Sequence, residues 1–329
     1  MKATAIANAN IALVKYWGKR NKELILPFNS SISMTCDGLH TKTTVDFSGS
    51  YGKDTVLIND EELKKDEKNI MAHIERIRQM AGITDKAKII SESNFPVAAG
   101  LASSASGLAA LTLAASKAAG LNLNEKELTI LSRLGSGSAS RSIPEGFVEW
   151  HHGEKEDGSD SFAESIASKS HWPEFRMLAC IVSEARKPVG SRAGMAQTVD
   201  NCPYYEGWLK TVNDDIAAVK KGIAERNFTL VGSTAEKNTL KMHALMMTTT
   251  PAIIYWIPQT LEIMHSVMLW REEGLESYFT IDGGPQVKVI CLQKDEKEIL
   301  SRLSSLDCVI RAINCPPGGG AQLSNSHLF

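Results

Sequence analysis

The chain has no Cys-x-x-Cys pair. Its six cysteines, Cys36, Cys180, Cys202, Cys291, Cys308 and Cys315, are scattered, and a chain of 329 residues does not need disulfide staples, so reduced thiols are expected. No charge of one sign dominates: 36 Lys and Arg face 38 Asp and Glu, a net charge of −2. That balance leaves no basic stripe for nucleic acid and no cationic face for an acidic membrane, so any anion site must be built from a few local Lys and Arg residues. Long apolar runs are missing too. Residues 96–116 lack charge but are mostly Ala, Gly and Ser, and 245–261 contain Pro251, Pro258 and consecutive threonines. Met1-Lys2-Ala3-Thr4 shows no charged-then-apolar signal pattern, and Lys15 and Lys19 interrupt the next apolar run. A soluble cytoplasmic protein is expected. His73, His243 and His265 have no partner at metal-ligand spacing, and His151-His152 are adjacent rather than four apart, so no zinc site is expected.

What is present is an ordinary globular composition, 43% hydrophobic and 22% charged, in a length that suits two domains of roughly 150 residues each. Thr41 to Phe47, Thr55 to Ile58 and residues 87–92 read as strands. Ile70, Met71, Ile74, Ile77 and Met80 fall at helical spacing, which predicts an amphipathic helix over 63–80. The Ala-rich stretch 103–119 predicts the next helix. Residues 153–170 are polar and acidic and read as a surface loop or boundary. Beyond them come a buried strand at 177–182, helices at 205–226, 230–247 and 258–273, a strand pair at 278–281 and 287–292, a helix at 295–304 and a strand at 307–313. Strands and helices without strict alternation indicate an α+β architecture, with domains at 1–175 and 176–329.

Five stretches carry residues suited to anion chemistry. Pro96 to Ser106 opens a helix, where free N–H groups and the positive end of the dipole attract phosphate. It is not a Walker loop, because no Gly-Lys-Ser/Thr follows, and close packing explains its small residues equally well. Asn10 to Lys19 sets two lysines beside two aromatics, either an anion clamp or a strand edge with solvated lysines. Gly135-Ser136-Gly137-Ser138-Ala139-Ser140-Arg141-Ser142 offers hydroxyls and one two-pronged guanidinium, or a plain flexible loop. Ser191-Arg192 is a second Ser-Arg pair. Asp282-Gly283-Gly284-Pro285, between apolar strands, is a hairpin signal, so Asp282 is a turn residue on spacing alone.

Order and wording together say more. Ala9-Asn10-Ile11-Ala12-Leu13-Val14-Lys15-Tyr16-Trp17-Gly18-Lys19, Ala98 to Ser106, Gly135 to Ser142 and Asp282 to Pro285 resemble the signatures of the mevalonate diphosphate decarboxylase family, within the GHMP kinase superfamily, over about residues 3–290. The resemblance implies a GHMP kinase fold: an N-terminal α+β domain, a C-terminal ferredoxin-like domain and an active site in the cleft between them. It implies ATP-dependent decarboxylation of mevalonate 5-diphosphate to isopentenyl diphosphate, with Mg²⁺, in a cytoplasmic homodimer.

By position, it makes Asp282 the catalytic carboxylate, assisted by Lys15 and Arg141. Ala12, Lys15, Tyr16, Lys19, Ser136, Ser138, Arg141, Ser191, Arg192 and Met195 line the substrate site. Gly100, Leu101, Ala102, Ser103, Ser104, Ala105 and Ser106 form the ATP phosphate loop, with Mg²⁺ on Ser103 or Ser104. Gly283 stands where the family often has Ala, and Pro316 to Gly320 match only loosely. Sister activities remain open: decarboxylation of mevalonate 5-phosphate or mevalonate 3,5-bisphosphate, or a 3-kinase without decarboxylation. Lys19, Ser191 and Arg192, which answer the outer phosphate, favour the diphosphate. A non-catalytic metabolite sensor is the reading from another class; loss of Asp282 or of the phosphate loop would mark it, and both are present.

Overall fold

A computed structural model describes residues 1–62, 68–95, 103–185 and 187–329. Its first segment, KATAIANANIALV, has five alanines and no aromatic residue, yet Lys2–Val14 is a 13-residue strand. The helix Ser103–Ala118 explains why. It covers this strand, with Ala7 sharing a buried cluster with Ala109 and Ala110, and Ala3 and Ala5 sharing another with Ala114 and Ala115. Alanine on both sides lets the two backbones approach closely, so β propensity is overridden by packing.

Lys2–Val14 pairs antiparallel with the 18-residue strand Ser31–Ser48, which pairs in turn with Lys86–Ser93 along one half and Phe147–Trp150 along the other. Thr55–Ile58 adds parallel to Lys86–Ser93. The chain's last strand, Gln322–Ser324, returns to the free side of Lys2–Val14, completing an eight-stranded sheet.

A second sheet has four antiparallel strands in the order Tyr278–Ile281, Val287–Leu292, Phe175–Ile181, Arg311–Cys315. The period of two in Met177-Leu178-Ala179-Cys180-Ile181 sorts its faces. Met177, Ala179 and Ile181 join a core with residues of the helices Tyr205–Glu225 and Phe228–Met247, and also with Ile11, Leu13 and Met34 of the large sheet. Leu178 and Cys180 face the other way, towards Ile263, Val267 and Trp270 of Pro258–Glu272 and Ile299 and Leu303 of Glu296–Ser304. One apolar core therefore spans both sheets.

Several expectations are corrected. The helix expected over 63–80 is seen as Lys68–Ala81, with 63–67 outside the described residues. The polar stretch 153–170 contains the strand Ala163–Ala167, paired with Phe147–Trp150; it is largely uncovered, so polar residues suffice. The last expected strand, 307–313, lies instead at Arg311–Cys315, because residues up to Val309 still turn out of the preceding helix and pairing starts with Ile310 N–H to Ile181 O at 2.9 Å. Ser191–Asn201 is an unforeseen helix: it has small and polar residues and no apolar period, since it packs so closely that a Cβ on Gly194 would lie within 3.5 Å of Trp17, Tyr255 and Ile253. Among the described residues no helix is long and apolar enough to cross a membrane.

Gly232 marks the tightest point between the helix Phe228–Met247 and the second sheet, because a Cβ there would lie 2.0 Å from Cδ2 of Tyr278. Gly232→Ala is expected to cost ~1–3 kcal/mol through overpacking, read as a lower urea midpoint. An unchanged midpoint would mean that this contact has slack.

Candidate active site

Lys15 follows the last residue of the strand Lys2–Val14, so its side chain leaves the ladder and turns back. Its Nζ donates to the Ala12 carbonyl at 2.8 Å and to Oδ1 of Asp282 at 2.7 Å, and the residue is only 1% exposed. Asp282 sits where the strand Tyr278–Ile281 ends. The hairpin pairs Thr280 with Lys288, which carries the Lys288 Nζ to 3.2 Å from Oδ2 of Asp282. The sequence's turn signal at Asp282 is thus correct for its backbone, while its carboxylate lies between two buried ammonium groups. Burial pushes the Asp282 carboxyl up, but Lys15 and then Lys288 outweigh it and hold the group below the usual carboxylate range. Burial pulls Lys15 down to about 8, with Asp282 opposing that fall. The solvated-lysine reading of Lys15 is therefore wrong.

Lys187 caps the same corner, donating to Oγ of Ser191 at 2.7 Å and to the Gly283 carbonyl at 2.6 Å. Burial lowers it to about 8. A Cβ on Gly283 would lie 3.2 Å from Ser191 Oγ and from the Trp17 ring, so the alanine common in the resembled family needs only a slight shift here.

Arg141 ends up buried on the short 3₁₀ turn Gly137–Ser142. Its Nε donates to Asn10 Oδ1 at 3.2 Å and Ser33 Oγ at 3.1 Å, and its Nη1 to Ser31 Oγ at 2.6 Å. Asn10 in turn donates to the Ser138 carbonyl and to Oγ of Ser142, so the turn is anchored rather than flexible. A Cβ on Gly137 would lie 2.7 Å from Trp150, which is why glycine is needed at this approach. The Ser136 and Ser138 hydroxyls lie 3.4 Å apart. Tyr16 packs edge-on against Trp150, and its hydroxyl is buried with no hydrogen-bond partner among the described residues, although it feels the charges of both Arg141 and Arg192.

A cavity of about 260 Å³ collects Lys19, Arg192 and Met195 together with Lys22 and Arg76. Burial pulls Lys19 down to about 8, with Arg192 and Lys22 adding to the fall. Arg192 donates to Asn69 Oδ1 and, at 3.3 Å, to the Gly135 carbonyl. Ala12 serves through its carbonyl, which holds Lys15 and the Thr280 hydroxyl.

Of the expected phosphate loop, Gly100, Leu101 and Ala102 lie outside the described residues. Ser103 and Ser104 begin the helix Ser103–Ala118, Ser104 exposed and Ser103 half-buried. Ala105 and Ser106 turn inward, and Ser106 Oγ bonds Thr41 Oγ1 of the sheet at 2.8 Å.

Sequence reasoning missed Lys288, Lys187, Lys22 and Arg76, and assigned Asn10 no role. Lys288 had a signal: a lysine inside the buried run Val287-Lys288-Val289-Ile290 needs a counter-charge. Lys22 and Lys187 lie three and four residues from Lys19 and Ser191, a proximity that sequence reasoning passed over, whereas Arg76 meets the cavity from a distant segment.

The chain matches a family model for the diphosphomevalonate decarboxylase-like N-terminal domain over residues 7–163 and one for the mevalonate 5-diphosphate decarboxylase C-terminal domain over 177–315. It is 37% identical to the diphosphomevalonate decarboxylase of Bos taurus over 317 residues, covering 91% of this chain and 78% of that protein. A solved structure of MDDEF in complex with MVAPP, AMPPCP and magnesium superposes with a TM-score of 0.93 at 40% identity, covering 99% of each chain. The mevalonate diphosphate decarboxylase of Staphylococcus aureus gives 0.92 at 36% identity over 98% of each.

Because Lys288 helps to keep Asp282 ionised, Lys288→Met should raise the Asp282 pKa towards its usual value. The stability that this ionised carboxylate contributes is present above the unfolded-state pKa and lost as pH falls through the folded one. In the variant that loss should begin at higher pH, seen in urea midpoints across the acid range. Superimposable acid profiles would show that Lys15 alone sets the ionisation.

Proposed function

This chain belongs to the diphosphomevalonate decarboxylase family, and from that premise we propose how its own residues divide the work. It is an ATP- and Mg²⁺-dependent enzyme of the GHMP kinase fold that converts mevalonate 5-diphosphate into isopentenyl diphosphate. The observation that carries the residue assignment is the Asp282 carboxylate held ionised between Lys15 and Lys288.

A tertiary C3 hydroxyl is a hindered, poor nucleophile. Asp282 accepts its proton as that oxygen takes the γ-phosphoryl group of ATP. Lys15 and Lys288 act by keeping the carboxylate ionised and fixing its direction. Once that proton has passed to the departing C3 phosphate, the restored carboxylate stabilises the positive charge that develops at C3. Arg141, tied through Nε and Nη1 to Asn10, Ser31 and Ser33, offers a fixed guanidinium to the substrate carboxylate, which aligns the C–C bond for loss of CO₂. Lys19 and Arg192, with Lys22 and Arg76 in the same cavity, take the diphosphate. Tyr16, Ser136, Ser138, Ser191 and Met195 complete the substrate's surroundings.

Among the described residues no group of three His, Cys, Asp or Glu side chains is placed to hold a metal ion. The lysines against Asp282 likewise suit a polyanion better than a bare cation. Mg²⁺ would be held through the nucleotide phosphates and the hydroxyl of Ser103 or Ser104, where it supplies charge neutralisation. Gly100, Leu101 and Ala102 belong to the same loop in this reading. The domain limits we propose are 1–175 and 176–329, supported by the spans of the two family models, with the tail from about 316 returning to the first sheet. A cytoplasmic location and a homodimer complete the reading.

An ATP-coupled assay with mevalonate, its 5-phosphate and its 5-diphosphate, counting ADP and CO₂, tests the substrate. The 5-diphosphate should be used at least ~100-fold more efficiently than the monophosphate, about 2.7 kcal/mol at the barrier, with one CO₂ per ADP. Equal use of the monophosphate would reassign the enzyme to the sister decarboxylase, and ADP without CO₂ to a 3-kinase.

Asp282→Asn should lower turnover by ~10³ or more. It also leaves Lys15 and Lys288 buried without a counter-charge, so a lower melting temperature is expected, and turnover is compared where circular dichroism shows the variant folded. A folded variant with near-parental turnover would return Asp282 to the role of a turn residue.

A further inference from the structure

Asn238 belongs to no motif in the sequence, yet the backbone of Lys15 hangs on it. It lies within the helix Phe228–Met247 and is fully buried, where asparagine weakens helix propensity and caps nothing. Its Oδ1 accepts the Lys15 backbone N–H at 2.8 Å, and its Nδ2 donates to Oδ2 of Asp215 at 2.8 Å. Asp215 is itself buried, on the neighbouring helix Tyr205–Glu225, and the same Oδ2 accepts Lys241 Nζ at 2.7 Å. On the other side of the residue, Asn29 Nδ2 donates to the Lys15 carbonyl at 2.9 Å.

Lys15 stands one residue beyond the strand's end, so no ladder hydrogen bond sets the direction of its peptide. Asn238 and Asn29 supply that missing constraint. An ionised Asp215 only accepts, so it turns the Asn238 amide NH₂ towards itself and the amide oxygen towards Lys15. We infer that Asn238, oriented by Asp215, is a positioning residue that fixes the path along which the Lys15 ammonium meets Asp282. Two helices of the second domain thereby aim a lysine that the first domain contributes. The inference rests on the role given to Lys15 above.

The test exchanges donor and acceptor. N238D keeps the shape but sets two carboxylates where an amide met a carboxylate at 2.8 Å, so they must share a proton or repel. In N238D/D215N the side chain at 238 accepts from both Lys15 N–H and the new amide at 215 with the same net charge, while the partly exposed Lys241 ammonium gives up that atom for Thr211 Oγ1 and solvent. The charged and titratable groups facing this chain are Lys241 and Lys237 at Asp215, and Asp282, Lys288, Arg141 and His243 around Lys15.

At neutral pH, N238D should lose at least ~10-fold in kcat while KM for each substrate changes by less than about threefold. Relative to the parent at the same pH, its kcat should recover as acid supplies the shared proton. N238D/D215N should regain kcat to within about threefold of the parent and show no such acid recovery. All variants are compared where circular dichroism shows them folded.

A folded N238D with parental kcat, or a folded double variant that stays as impaired as N238D, overturns the inference. If N238D does not fold, the double variant decides alone: near-parental kcat supports the inference, and a folded protein without turnover overturns it. Lys15→Met, measured alongside, separates the two claims. Retained turnover in Lys15→Met refutes the role of Lys15 itself, whereas an inactive Lys15→Met beside a normal N238D refutes only the positioning by Asn238.

Discussion

A carboxylate held between two buried lysines is the constraint around which this molecule is organised. Lys15 comes from the end of the first strand, and Asp282 and Lys288 come from a hairpin well over two hundred residues later. None of the three could be buried alone without a desolvation cost of several kcal/mol. Together they leave one net positive charge in the interior, with Arg141 near enough to weaken Lys15 further. Folding the two sheets against one another is therefore what assembles the charged group, and misplacing either sheet would strand a buried ion. The apolar core that runs from Ile11 and Leu13 through Met177 and Ile181 keeps them in place.

The approach of the two halves is governed by small residues. Gly18 adopts a φ of +118°, and a Cβ there would lie 1.9 Å from the Tyr205 hydroxyl, which donates to the Trp17 carbonyl. Trp17 in turn donates to Thr198 Oγ1 at 3.1 Å and meets Tyr255 edge-on. The segment Lys15 to Gly18 thus runs between the two halves, with Tyr16 against Trp150 of the first sheet on one side and Trp17 against Thr198 and Tyr255 on the other. What reads in sequence as an anion clamp or a strand edge is also a packing contact between the two halves.

Elements with a clear period were legible. The helices at 205–226, 230–247 and 258–273 and the hairpin about Asp282 follow from apolar spacing and an Asp-Gly turn, and the structure has them nearly where that spacing puts them. The 13-residue strand Lys2–Val14 was not legible, because its alanines serve close contact with a helix from elsewhere in the chain. The site divides in the same way. Lys15, Arg141 and Asp282 were singled out because their local wording resembles a family. Lys187 reaches Gly283 and Asn238 reaches Lys15 across long stretches of chain, and no window along the chain contains both partners of either contact. Ser106 differs in another way: it lies within the motif, yet the helical turn points its hydroxyl at Thr41.

The cationic lining also explains how a nearly neutral protein can handle two polyanions. Burial brings Lys15, Lys19 and Lys187 each down to about 8, close enough to neutrality that their charge is sensitive to what lies beside them. Lys15 keeps a permanent counter-charge in Asp282, so its proton is held whether or not an anion is near. Lys19 faces Arg192 and Lys22 instead, a grouping of like charges in a cavity that also contains Glu23. An anion in that cavity raises the pKa of Lys19 and stabilises its charged form, so part of the binding free energy comes from removing repulsion that was present beforehand. In the proposed reading the chain thus keeps two kinds of lysine: Lys15, whose charge is secured inside the protein by Asp282, and Lys19, whose charge is completed by what it binds.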